Sequence, residues 1–290
     1  MNRRIVIGLA AFASMNQAVR AAGFRLRYGP AMGWLGPNVP VTEHMQIYAD
    51  AGFTAFEFNG LPRYPMAEME TFRKKMDELK LAMGTLVVNR GGWRATAMND
   101  RAAHRIFLED VRKAVEIHQV IGNEVATVCS GLAVPHTSFE QQTETCVDVL
   151  KRAGEIVEKT KLKLVLEPLN HKVDHAGYFV VYSEHAAEII GKTNHPNVRI
   201  LFDMYHQQIS EGNIINHIRQ YYDLIGYFQT GDVPGRKEPY TGEMNYQNIF
   251  KALHELGYQG IVGLEHGMAQ PGREGFQKVT DAYRRADAWS

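Results

Sequence analysis

Leu164-Val165-Leu166-Glu167, Ile200-Leu201-Phe202-Asp203 and Val262-Gly263-Leu264-Glu265 share one pattern: each is a short apolar run that ends on an acid. Gly226-Tyr227-Phe228-Gln229 repeats it with an amide in the last place. Carboxylates are normally kept from the ends of apolar strands, because an unpaired buried charge is strongly destabilising. Their recurrence calls for a fold that brings such strand ends to one place.

From Phe24 onward, β-rich runs alternate with longer segments of helical period, and no Pro- or Gly-rich linker separates them. That alternation predicts one α/β domain over residues 24–290. The strand candidates are Arg25–Tyr28, Ala55–Phe58, Met83–Val88, Glu124–Cys129, Lys163–Glu167, Arg199–Asp203, Ile225–Thr230 and Ile261–Glu265. Eight is the number that a closed parallel barrel needs. Between them, Phe139 to Val157 carries Phe139, Cys146, Val149, Leu150, Ala153, Ile156 and Val157 at helical spacing, as an outer helix would. Gly52 and Gly257 stand where helices should stop, ahead of the second and eighth strands. The two βα units around them look alike, although too faintly to make an internal repeat. An open doubly wound sheet would carry a glycine-rich phosphate turn after its first strand, and neither G-x-G-x-x-G nor G-x-x-x-x-G-K-[ST] occurs. The expected fold is therefore a (β/α)8 TIM barrel in a single domain.

With 290 residues, 45% hydrophobic and 22% charged, the chain has material for a full core and no bias toward disorder. Lys plus Arg equals Asp plus Glu at 32 each, so no overall positive field exists to gather phosphate backbones, and nucleic acid is not an expected partner. Cys129 and Cys146 form no C-x-x-C pair and read as packed thiols. The longest apolar stretch, Ile5 to Met15, is too short to span a bilayer, so no stable membrane association is expected. Residues 1–23 nevertheless have a basic start at Arg3-Arg4, an apolar middle and the small-residue stretch Val19-Arg20-Ala21-Ala22. They read as a secretory signal peptide, which makes the protein periplasmic or exported; Arg20 argues for the alternative, a cytoplasmic N-terminal extension.

In a parallel barrel every strand C-terminus opens on the same face, so Glu167, Asp203, Gln229 and Glu265 are expected to converge at one mouth. Three anionic oxygen donors and one neutral one suit a divalent Mg²⁺ or Mn²⁺. Any one acid alone reads as well as a helix N-cap or surface ion pair. His206, three residues past Asp203, is placed to donate a hydrogen bond to a substrate oxygen; otherwise it holds the loop. Arg236, in the turn Val233-Pro234-Gly235-Arg236, is placed as a bidentate carboxylate clamp, with plain surface solvation as its alternative. Glu57, at the end of the second strand, reads either as a hydrogen-bonding support within the mouth or as a catalytic acid. His171 and His175 lack the partners a zinc site needs and stay outside the metal shell.

Glu167-Pro168-Leu169-Asn170, Asp203-Met204-Tyr205-His206-Gln207-Gln208 and the segment from Gln229 through Asp232, Pro234-Gly235-Arg236 and Glu238-Pro239 to Asn245-Tyr246 resemble the signatures of hydroxypyruvate isomerases. Those enzymes belong to the xylose-isomerase-like barrel superfamily, beside ketose 3-epimerases and apurinic endonucleases. The resemblance implies that Glu167 and Glu265 are metal ligands as well as acid–base groups, that Asp203 and Gln229 complete the shell, and that His206 and Arg236 bind substrate. One departure is Ala176-Gly177-Tyr178, where relatives tend to have Pro-Gly-Tyr in a loop that shapes the pocket.

The implied activity is metal-dependent isomerisation of a small hydroxy-carbonyl or oxo-acid substrate, of the hydroxypyruvate to tartronate semialdehyde type, by proton transfer through an enediolate. A ketose 3-epimerase and a non-catalytic sugar-binding barrel are the alternatives. An endonuclease would need extra histidines and a basic groove, and neither is seen. The sequence leaves open whether the chain forms homo-oligomers.

Overall fold

Alternation at period two decides where the strand-end acids point. Along β5 (Lys163–Leu166) and β6 (Val198–Asp203), Leu164, Leu166, Ile200 and Phe202 join the large core under the helices, while Val165 and Leu201 belong with Val125 and Tyr227 to a small inner cluster. Glu167 and Asp203 lie two residues beyond Val165 and Leu201, so they share the inner face. On β7 (Ile225–Gln229), Tyr227 is inner and Phe228 outer, which turns Gln229 inward. On β8 (Ile261–Leu264), Val262 and Leu264 are outer, so Glu265 is inner.

The computed structural model describes residues 23–94 and 98–289. The signal-peptide reading of the first residues lies outside that range, except for its last residue. Four further strands, β1 (Arg27–Pro30), β2 (Ala55–Phe56), β3 (Ala82–Met83) and β4 (Val125–Val128), precede β5. Every ladder is parallel: β1-β8-β7-β6-β5-β4 form one sheet, β2-β3 form another, and the bridges Ala31↔Glu57 and Val87↔Thr127 join the two sheets at both edges. A closed (β/α)8 barrel results, as the eight apolar runs predict. Its first strand starts two residues later than expected, because Asp287 takes the backbone N–H groups of Arg25 and Leu26. The second and third strands are shorter than expected and continue as bridged segments, and beyond β3 the buried Thr85 hydroxyl meets that of Thr127 on β4 at 2.7 Å.

The outer ring comprises α1 (Val41–Asp50), α2 (Met66–Leu79), α3 (His104–Ile121), α4 (Phe139–Val157), α5 (Ser183–Thr193), α6 (Met204–Ser210), α7 (Ile214–Tyr221), α8 (Tyr246–Glu255) and α9 (Gly272–Ala286). Helix α4 spans the predicted segment, and Ser138 with Gln141 forms a capping box at its start; such a cap contributes about 1 kcal/mol. Gly52 and Gly257 close α1 and α8 at φ of 90° and 75°, where a side chain would be strained. Cys129 and Cys146 are buried free thiols, as expected. Among the described residues no helix is long and apolar enough to cross a membrane.

Candidate active site

Where β6 ends, Asp203 does two things at once. Its Oδ1 accepts the backbone N–H of Tyr205 at 2.8 Å and so caps α6, while Oδ2 faces His206 Nε2 at 3.5 Å and Arg236 Nη2 at 3.1 Å. The acid therefore caps a helix and, with its other oxygen, faces the mouth. Glu167, Asp203, His206 and Glu265 present ligand-type atoms within 4.8 Å of one another. Gln229 is the register partner of Asp203 across the β6–β7 ladder, which puts the amide at the same level of the barrel. All four strand-end residues thus meet at the C-terminal mouth.

Burial dominates the electrostatics. It pushes the carboxyls of Glu167 and Glu57 well above the usual range, helped by repulsion from Glu265. Asp203 is pushed up to about 7, again by burial first, with the attraction of Arg236 too weak to cancel it. His206 is fully buried, and burial together with the Arg236 charge holds its imidazole well below the normal range. For Arg236, burial opposes the charge, but Glu265, Asp203 and Glu167 outweigh it and raise the pKa.

These donors fit a divalent cation. Glu167 Oε1 and Gln229 Oε1 are buried and have no hydrogen-bond partner within the protein. Leaving a buried polar atom unpaired costs about 1–3 kcal/mol each. The Gln229 amide is turned by its Nε2, which donates to Glu57 Oε1 at 2.9 Å and leaves the carbonyl oxygen free.

Arg236 reaches the mouth from an unusual backbone. Its φ is 52°, and Gly235 before it stands at 99°. Buried Asp232 holds the turn by accepting the backbone N–H groups of Val233, Gly242 and Met244, and Gly242 must lack a side chain because a Cβ there would lie 2.1 Å from the Val233 carbonyl oxygen. Glu238 pins the far end by accepting from Ala269 N. The result is a guanidinium with 27% of its side chain exposed, 2.6 Å from Glu265 Oε2 and lying over the Tyr205 ring at 4.8 Å. It points inward at the strand-end acids and not into bulk solvent.

Sequence reasoning missed several partners. Asn59 Nδ2 donates to Glu265 Oε1 at 2.5 Å, and nothing in the run Phe56-Glu57-Phe58-Asn59 marked it. His175, left out of the metal shell, packs its ring against His206 at 5.0 Å and Trp93 at 4.6 Å, and both of its nitrogens are buried without partners. Asn170 was quoted in its motif without a role.

A closed parallel barrel with acids and an amide gathered at its C-terminal mouth defines the class of (β/α)8-barrel proteins with a polar site at the strand ends. The chain belongs to the xylose isomerase-like TIM barrel family, whose profile matches residues 45–286. It is 30% identical over 220 residues to the 2-oxo-tetronate isomerase of Cupriavidus necator, covering 74% of this chain and 82% of that one. With the hydroxypyruvate isomerase of Escherichia coli it shares 33% identity over 178 residues, covering 61% and 68%. A crystal structure from Brucella melitensis, described as an AP endonuclease of family 2, superposes with a TM-score of 0.79 at 24% identity, covering 87% of this chain and 96% of that one. That likeness shows the fold alone. Together the named relatives make the chain an isomerase related to the hydroxypyruvate isomerases.

Proposed function

We propose that this protein isomerises a short hydroxy-oxo-acid, of the hydroxypyruvate to tartronate semialdehyde type, with Glu167 and Glu265 as the acid–base pair. The observation that carries the reading is the placement of Arg236 beside Glu265 and Asp203: a fixed cation at the edge of a cluster of buried acids, suited to a substrate that bears its own carboxylate.

Glu167, Asp203, Gln229 and Glu265 would hold a divalent Mg²⁺ or Mn²⁺, which when bound supplies positive charge that keeps the carboxyls ionised and stabilises negative charge developing on substrate oxygens. The protein's own groups do the rest. One glutamate takes a proton from C3 of the substrate, and the same or the other returns a proton to C2. The hydroxyl proton passes from O3 to O2, so atoms balance and no outside oxidant or reductant is involved. His206 donates from Nε2 to a substrate oxygen, and Arg236 orients the carboxylate. Buried walls around Glu167 and His206 keep bulk water from quenching the intermediate.

The test is exchange of substrate C–H protons with D₂O across a panel of short oxo-acids and free ketoses, with and without added Mn²⁺. Exchange and product formation on a three- or four-carbon oxo-acid, dependent on the metal, are expected. Preference for free ketohexoses would replace this reading with a 3-epimerase, and no exchange on any member would leave a sugar-binding barrel.

A further inference from the structure

Asn170 lies at the end of Glu167-Pro168-Leu169-Asn170 and is fully buried. All four hydrogen-bonding capacities of its side chain are used. Oδ1 accepts the backbone N–H groups of Val173 at 3.0 Å and Asp174 at 3.2 Å. Nδ2 donates to Asp174 Oδ2 at 2.8 Å and to His206 Nδ1 at 2.7 Å. Flipping the amide would break the bonds to Val173 N, Asp174 N and Asp174 Oδ2, so these three partners settle its orientation independently of His206. Because Nδ2 can only donate, His206 Nδ1 must accept; the Asn170 backbone N–H points at the same nitrogen from 3.4 Å. The ring's proton is therefore on Nε2, the nitrogen that faces Asp203 Oδ2.

We infer that Asn170 is a positioning residue that locks His206 as the Nε2–H tautomer, which makes this imidazole a hydrogen-bond donor to the substrate and bars it from the metal shell. Geometry alone places His206 among the ligand-type atoms beside Glu167, Asp203 and Glu265. A proton on Nε2 removes the lone pair that ligation needs. The donor role rests on the substrate reading above, whereas the tautomer does not.

The same loop carries the lock further. Asp174 Oδ2 also accepts from Tyr205 OH at 2.9 Å, and the Tyr205 ring lies beneath the Arg236 guanidinium. Asn170 and Asp174 thus tie together the supports of His206 and Arg236.

The test is long-range ¹H–¹⁵N correlation of the imidazole nitrogens in the full chain with Mg²⁺, where His206 is assigned among the 12 histidines by its loss in His206→Gln. Wild type is expected to show a protonated Nε2 and a bare Nδ1. In Asn170→Asp combined with Asp174→Asn, which avoids two facing carboxylates, one carboxylate oxygen keeps the backbone bonds and the other faces Nδ1 as an acceptor. The proton should then move to Nδ1 and kcat should fall about 10- to 100-fold, the usual effect of losing such a support. Asp174→Asn alone keeps the wild-type tautomer. A wild-type spectrum with the proton on Nδ1, or a double variant with an unchanged tautomer, overturns the inference. Should the double variant not fold, Asn170→Ala is expected to show mixed tautomers, and a pure Nε2–H signal there overturns it equally. Expected spectra with no activity on any oxo-acid would sink the substrate reading and leave the tautomer assignment standing.

Discussion

Gln229 Nε2 donates to Glu57 Oε1 across 2.9 Å in the closed interior of the barrel. Space for this contact exists because residue 263 is glycine: a Cβ there would lie 2.1 Å from Glu57 Oε1. The acid just past β2 and the missing side chain on β8 thus aim an amide on β7.

Replacing Glu57 therefore tests the site without touching a proposed ligand. Glu57→Leu removes the acceptor, and Mn²⁺ affinity should fall about 10- to 100-fold. Glu57→Gln keeps an amide oxygen in the same place and should bind nearly as wild type does. Titration calorimetry decides; wild-type affinity in the leucine variant would mean that Gln229 needs no support or is no ligand.

Glu167→Gln and Glu265→Gln should each lose about 10²- to 10⁴-fold in turnover, the range positioned acid–base groups supply. Both variants keep side-chain volume, so thermal melts should stay close to wild type. Deuterium exchange at the substrate carbons locates the fault, because a variant that still exchanges protons has lost a later step. Normal turnover in either would remove that residue from proton transfer.

How much of this was legible in sequence depends on the range of the interaction. Strand-end acids announce themselves because the period-two pattern of Leu164 to Glu167 or Ile200 to Asp203 is local, and barrel closure does the converging. Arg236 was legible through its Pro-Gly turn. Asn59, Tyr205 and His175 were not, since their meaning comes from partners far along the chain, such as Glu265 for Asn59 and Trp93 for His175. Strand boundaries at β1 slipped for the same reason: Asp287, at the far end of the chain, competes for the backbone of Arg25.

Metal stabilisation should depend on pH. Asp203 sits at about 7 in the fold against an ordinary 3.8, so between those values the folded protein without metal binds a proton that the unfolded chain does not. Its contribution to stability consequently falls as pH rises through that window. A cation on the carboxyls must displace this proton, and the gain in Tm on adding Mn²⁺ should grow from about pH 5 to about pH 8. Half-buried His175 and buried His266, pushed down to about 4 and about 3 by burial, act oppositely by losing stability as pH falls below the ordinary histidine range, but they are present with and without metal and drop out of the difference. Asp203→Asn should weaken metal binding and flatten the trend. A metal-induced shift in Tm that is constant across this range would rule out the linkage.

What the pocket recognises turns on Arg236. Its guanidinium, stacked over Tyr205 and paired with Glu265 and Asp203, is held by a backbone that Asp232 locks, so the fork keeps its direction as substrate enters. An oxo-acid can engage two of its N–H groups at once, which a lysine ammonium cannot reproduce. Arg236→Lys should therefore raise KM for an oxo-acid about tenfold, equivalent to about 1.4 kcal/mol, with a smaller effect on an uncharged ketose. Both substrate classes must be measured in the same preparation, because damage to the acid cluster would harm both alike. The charge at position 236 is kept, so metal affinity should change little, and calorimetry with Mn²⁺ checks that. Should oxo-acid turnover be untouched in Arg236→Lys while wild type prefers free ketohexoses, the carboxylate clamp is wrong and 3-epimerisation is the chemistry this mouth performs.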